Sequence, residues 1–229
     1  MLTRDYFRKR FYASLIGPQF SDHELVKFLE SCKNHDCYIA GVVVNLHQIS
    51  LAATLLKDSG INLIGSVAYP LGNLPTDIKV VQIKEATRDG AVEIHALMKV
   101  EALMTGDYES ARKDAQAIIE ACGKIKYCAL IPNTAYLTEH QALQAARIAF
   151  DLGASYMTNS GFGLVTKLDD VRIIRETFGK EIQIIVSGGC RTAEQAINYL
   201  KAGSNKIATS TPFNIFEEIE ELIALQAIS

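Results

Sequence analysis

Short apolar runs rich in Val, Ile and Ala recur along the whole chain, and each is followed by a longer stretch with apolar positions three and four apart. Runs too short for a helix, alternating with helical periodicity, are the sequence pattern of buried parallel strands joined by crossover helices. The pattern predicts strands over 11–16, 39–44, 63–68, 92–98, 125–131, 155–159, 182–187 and 206–209. The fold class is therefore α/β.

The intervening helices carry readable boundaries. Ser21 with Glu24 and Thr138 with Gln141 have capping-box spacing, in which the hydroxyl accepts from the third helical N–H and the longer side chain reaches back to the cap. Ala142, Ala145, Ala146, Ala149 and Leu152 give the second of these helices a stripe that should lie on the sheet. Gly90, Gly153, Gly179 and Gly203 fall just past helical stretches, where a residue without a β-carbon ends a helix most easily. Eight βα repeats without a Pro- or Ser-rich linker predict one (β/α)8 TIM barrel over residues 1–229, a single domain, in preference to a doubly wound open sheet. In such a barrel the working site lies at the carboxyl ends of the strands, with phosphate commonly held after strands 7 and 8.

Composition narrows the partners. With 23 basic against 26 acidic side chains, and no long block of like charge, the chain offers no basic field for nucleic acid or anionic lipid. Five cysteines, an odd number with no CxxC spacing, read as reduced thiols and point to the cytoplasm. Apolar runs stay well short of a membrane span, and the charged first ten residues do not resemble a signal peptide. No nucleic-acid or membrane partner is expected.

Three loops look suited to an anion. The seventh predicted strand ends in Ser187, Gly188 and Gly189, where backbone N–H groups can approach a ligand without a side chain in the way. After the eighth, Ser210 and Thr211 precede Pro212, which marks a helix N-terminus with free N–H groups and a positive dipole end. Gly161 and Gly163 follow the sixth strand, with Lys167 as a possible counter-charge. Each of these turns could equally be structural, and their common placement after strands 6, 7 and 8 is what predicts a phosphate site.

The motifs YPLG at 69–72, TDIK at 76–79, GAVEI at 90–94, TGDYE at 105–109, SGFG at 160–163, SGGCRT at 187–192 and KIATS at 206–210 resemble, in order and spacing, the deoxyribose-phosphate aldolases. That resemblance implies a (β/α)8 fold, a phosphate-binding face and descent from enzymes that join or cleave acetaldehyde and a phosphorylated aldehyde, with a possible homodimer. It also implies a strand-6 lysine that forms a Schiff base, because an iminium is the electron sink for carbon–carbon cleavage. Here that position reads Met157 or Thr158, and the neighbouring strand-7 lysine corresponds to Ile185. The family's strand-4 aspartate falls on His95, and its strand-1 Asp-His pair on Tyr12 and Ala13.

The remaining candidates for chemistry are few. His95 is the foremost acid/base candidate, weighed against a hydrogen-bonded core histidine. Lys99 has the strand parity of His95 and could be a relocated amine, although a solvated loop lysine is the simpler reading. Lys126 and Lys206 open strands and should face the opposite end of the barrel. Asn45, His47 and Asn133 could offer polar contacts, and Cys190 reads as a small buried thiol rather than a nucleophile. No metal-ligand spacing surrounds the histidines, so neither a metal nor another cofactor is expected. The ligand expected is a small phosphorylated carbonyl compound or sugar phosphate. Three functions fit: an aldolase-like lyase using a relocated lysine, an acid/base enzyme using His95, and a sugar-phosphate-binding protein without catalysis.

Overall fold

All eight predicted segments form strands, and the sheet closes on itself. In the computed structural model, which describes residues 2–123, 125 and 127–228, the strands are β1 (Phe11–Leu15), β2 (Ile39–Val44), β3 (Asn62–Val67), β4 (Glu93–Leu97), β5 (Tyr127–Ile131), β6 (Ser155–Met157), β7 (Ile184–Ser187) and β8 (Lys206–Thr209). Each pairs in parallel with the next, and β8 returns to β1 through Phe11 opposite Ile207 and Ala13 opposite Thr209. This closure is that of a (β/α)8 barrel and excludes the open sheet.

Around the strands, in chain order, run α1 (Arg4–Phe7), α2 (Asp22–Asn34), α3 (Ile49–Leu55), α4 (Thr76–Arg88), α5 (Val100–Thr105), α6 (Tyr108–Cys122), α7 (Glu139–Asp151), α8 (Leu168–Phe178), α9 (Ala193–Ala202) and α10 (Pro212–Ile228). The capping boxes at Ser21 and Thr138 both form, and a third joins Thr192 to Gln195 at the start of α9. The alanine stripe of α7 is buried at Ala142, Ala145, Ala146 and Ala149. Among the described residues, no helix is long and apolar enough to cross a membrane.

Strand boundaries depart from the apolar pattern where polar groups or backbone geometry intervene. β3 stops at Val67 because Ala68 takes a φ of 57°, which no strand accommodates. β6 is three residues long; beyond it Thr158 N–H still donates to the Ile185 carbonyl at 3.0 Å, while the side chains of Thr158 and Asn159 enter a buried hydroxyl cluster. Thr158 Oγ1 and Thr166 Oγ1 are 2.7 Å apart, both donate to the Ser187 carbonyl in turn, and Asn159 Nδ2 donates to Thr166 and Thr134. The predicted first residues of strand 5 fall partly on Lys126, which lies outside the described residues.

One buried ion pair fixes the end of the strand that matters most for the site. Lys79 of α4 is fully buried; its ammonium donates to Asp114 of α6 at 2.8 Å and to the Leu97 carbonyl at the end of β4 at 3.0 Å. Thr76 donates to the other oxygen of Asp114 at 2.7 Å. Burial draws the Lys79 pKa down, against the attraction of Asp114. Two helices are thereby pinned to the carboxyl end of β4.

Candidate functional site

At the carboxyl ends of the strands opens a cavity of about 1320 Å³. Side chains on a strand alternate between barrel interior and helix layer, so β1 offers Ser14, β3 Ser66, β4 His95, β6 Met157 and β7 Ser187 to its floor. Its rim is the loop carrying Gly161 and Gly163, the Gly188–Gly189 turn, and the start of α10 at Ser210 and Thr211. The structure thus brings seven of the eight predicted anion-site residues to one face.

Lys167, the eighth, is not among them. It is exposed at the entrance to α8, outside the cavity lining. The cation on the rim is instead Arg191, directly after the glycine turn. Sequence reasoning passed over it although it stands inside the SGGCRT motif; its nearness to Gly189 was the available signal.

The two glycines have φ values of 93° and 86°, in the region that favours glycine. Space demands glycine there as well. A β-carbon on residue 188 would meet the Leu164 carbonyl oxygen at 2.2 Å, and one on residue 189 would meet Val165 at 2.8 Å. The β6 loop therefore lies directly on this turn, and Thr166 N–H donates to the Gly188 carbonyl at 3.2 Å. Across the rim, α10 begins at Pro212, so the first-turn N–H groups of Phe213 and Asn214 have no acceptor within the helix. A cationic guanidinium, a glycine turn and a helix N-terminus around one opening form a site for a small anion.

Below the rim the chemistry is sparse. Among the described residues no lysine lines the cavity. Met157 faces it, whereas Thr158 turns aside into the hydroxyl cluster. Ile185 is buried, opposite Met157 and on the strand parity of Ser187. Lys99 is not brought to the site: its ammonium lies 3.2 Å from Ser110 Oγ and 3.8 Å from Glu101 in the helix layer, because the chain has left β4 two residues before it. Lys206 occupies the amino-terminal end of β8, as its position predicts, with its ammonium on Tyr12.

His95 lines the cavity floor and is 1% exposed. Its Nε2 is 3.1 Å from Oε1 of Glu93, two residues earlier on the same face of β4, while Nδ1 has no hydrogen-bond partner. Glu93 is buried, and burial pushes its carboxyl pKa up; hydrogen bonds from His95 and Tyr12 and the charges of His95 and Lys206 outweigh this and hold it below the usual glutamate value. Sequence reasoning singled out His95 and missed Glu93, an acidic residue that opens the same buried strand.

The other polar candidates are structural. Asn133 is fully buried, accepts from Ser160 N–H at 2.7 Å and donates to the Pro70 carbonyl at 3.3 Å, so it stitches loops together. Asn45 touches the cavity but is engaged with Gly17 and Gln48. His47 is exposed and lies outside the lining. Cys190 lines the cavity as a buried thiol whose pKa is pushed up to about 12 by burial, which suits packing and not nucleophilic attack. Among the described residues, no group of three His, Cys, Asp or Glu side chains is placed to hold a metal.

No protein-family model matches the chain. It is 31% identical over 210 residues to the deoxyribose-phosphate aldolase of Thermococcus gammatolerans, covering 88% of this chain and 91% of that one. Among solved structures, the aldolase QR15 superposes with a TM-score of 0.87 at 28% identity, covering 97% of this chain and 98% of the other. The tetrameric deoxyribose phosphate aldolase from Aeropyrum pernix superposes with a TM-score of 0.86 at 16% identity, covering 96% and 93%, a likeness of fold.

Proposed function

Because the chain belongs to the deoxyribose-phosphate aldolase family, we propose that it binds a small phosphorylated sugar or aldehyde at the carboxyl-end face of the barrel and does so without forming a Schiff base. The observation that carries this reading is the contrast between rim and floor. The rim keeps the anion cradle of Gly188, Gly189, Ser210 and Thr211, with Arg191 beside it, while the floor presents Met157 and no amine. An iminium needs a lysine within reach of the carbonyl, and neither Lys99 nor Lys206 lies in the cavity lining.

In this reading the phosphate docks on the rim, and the carbonyl end of the ligand points down toward His95. The relatives' names supply the substrate class, a deoxyribose phosphate or its cleavage products. A cytoplasmic protein that self-associates as a homodimer is part of the same proposal, supported by five free thiols and by the tetrameric relative.

Calorimetric titration with glyceraldehyde 3-phosphate, and with unphosphorylated glyceraldehyde as control, tests the binding. Saturable binding of the phosphorylated compound alone is expected; equal or absent binding of both contradicts the proposal. A second reading, favoured by the unpartnered Nδ1 of the buried His95, gives the cavity acid/base chemistry on the bound carbonyl compound. Its alternative is a binding protein without turnover, which would show the same titration and no reaction.

A further inference from the structure

Beneath the cavity a line of polar side chains runs through the barrel interior. Lys206 of β8 donates to Tyr12 Oη of β1 at 2.5 Å, and Tyr12 donates to Glu93 Oε1 of β4 at 2.6 Å. Asn62 of β3 donates to Glu93 Oε2 at 3.4 Å, and His95 Nε2 meets Oε1 at 3.1 Å. Side chains of β1, β3 and β4 meet on one carboxylate, and β8 joins them through Tyr12. Barrel interiors are ordinarily packed with branched apolar side chains, so a buried polar line is a departure that needs a reason.

The directions of these bonds follow from the chemistry of the groups. An ammonium only donates, so Lys206 claims a lone pair of Tyr12 and leaves the tyrosine proton for Glu93. A carboxylate only accepts, so Glu93 takes protons from Tyr12, Asn62 and His95 together. His95 must then carry its proton on Nε2. In the neutral ring the free lone pair is consequently on Nδ1, which is buried without a hydrogen-bond partner in a side chain that lines the cavity.

We infer that Lys206, Tyr12 and Glu93 are positioning residues that lock His95 into the Nε2–H tautomer, so that Nδ1 serves as the base for an α-proton of the bound phosphorylated carbonyl compound. This rests on the acid/base reading above. In the step, the α C–H bond breaks, its proton passes to Nδ1, and the electron pair enters a carbon–carbon double bond as the carbonyl oxygen takes the negative charge. The imidazolium that results is stabilised by the Glu93 carboxylate on its other nitrogen. Ser66, paired with His95 on the neighbouring strand, lines the same cavity and offers a hydroxyl there. Return of the proton regenerates the aldehyde, so in deuterium oxide the α-position exchanges.

The charged and titratable groups facing Glu93 and His95 are Tyr12 from β1, Tyr127 and Cys128 from β5 and Lys206 from β8. Lys206 also lies 4.5 Å above the Tyr12 ring and 5.7 Å from that of Tyr127. Its ammonium is the one basic charge in this set.

The test reads the tautomer directly, by nitrogen NMR of the histidine-labelled full chain at neutral pH. His95 is expected to show a protonated Nε2 and an unprotonated Nδ1, and Glu93→Gln is expected to admit the other tautomer while the fold, followed by circular dichroism, is kept. A His95 that is protonated on Nδ1 in the native chain, or a tautomer unchanged in Glu93→Gln, overturns the inference. The second arm follows deuterium exchange of glyceraldehyde 3-phosphate. Glu93→Gln should slow exchange by about 100-fold, and Lys206→Met by less, with affinity for the phosphate unchanged. If the native chain exchanges no faster than His95→Gln, the acid/base reading falls while the tautomer result still decides the positioning claim. If exchange is present but indifferent to Glu93→Gln, the positioning claim falls and the acid/base reading stands.

Discussion

His95 and Arg191 divide the cavity between them, one at the floor and one at the rim. Arg191 is the side-chain cation of the rim lining, and its guanidinium is held by no ion pair among the described residues, so it is free to meet an anion. Arg191→Ala is expected to weaken binding of a phosphorylated probe about tenfold, the equivalent of one exposed charge-assisted contact, with the unphosphorylated control unaffected; titration calorimetry reads both. The residue scale is also where the sequence was least legible. His95, Gly188, Gly189, Ser210 and Thr211 were visible because position in a strand or loop predicted their direction. Lys167, expected as a counter-charge from its nearness to the Gly161–Gly163 loop, lies outside the lining, and Lys99 takes the solvated place that was its simpler reading, because parity says which side of a strand a residue takes only while the strand lasts.

At the level of elements, β4 is the most constrained piece of the site. All five of its residues are buried, its carboxyl end is held by Lys79 from α4, and Lys79 is held by Asp114 from α6. Removing one partner of a buried ion pair leaves the other charge without compensation. Lys79→Met should therefore lower stability by about 3–5 kcal/mol, and Lys79→Met combined with Asp114→Leu should recover most of that. Denaturant midpoints of the three proteins check this, and a single variant as stable as the native chain would contradict it. The eight strands themselves were readable from apolar runs, and two helices from their capping boxes. The short β6 was not, and just past it the side chains of Thr158 and Asn159 are engaged with Thr134, Thr166 and Ser187, contacts that no local pattern encodes.

For the molecule as a whole, closure of the barrel puts residues distant in the chain onto one carboxylate, and stability should record it. Glu93 has a folded pKa below its ordinary 4.5, because His95, Tyr12 and Lys206 together outweigh the effect of burial. A depressed carboxyl pKa contributes stability that is fully present above the ordinary value and is lost as pH falls through the folded one. Glu93→Gln should accordingly flatten the fall in thermal midpoint below pH 4.5 relative to the native chain; parallel acid limbs in the two proteins would contradict this. Chain closure is also why the resemblance to aldolases was legible at full length while the interior line from Lys206 to His95 was not. The motifs are contiguous stretches, whereas Tyr12, Glu93 and Lys206 meet only when β8 pairs with β1 and the barrel is complete.

The central claim is that this aldolase-family barrel holds its phosphorylated ligand without a covalent amine. Borohydride reduction in the presence of acetaldehyde or glyceraldehyde 3-phosphate, followed by intact mass measurement beside a Schiff-base aldolase as positive control, tests it most directly. The native chain is expected to gain no mass under conditions that modify the control. A stoichiometric adduct mapping to any one of its lysines would contradict the account.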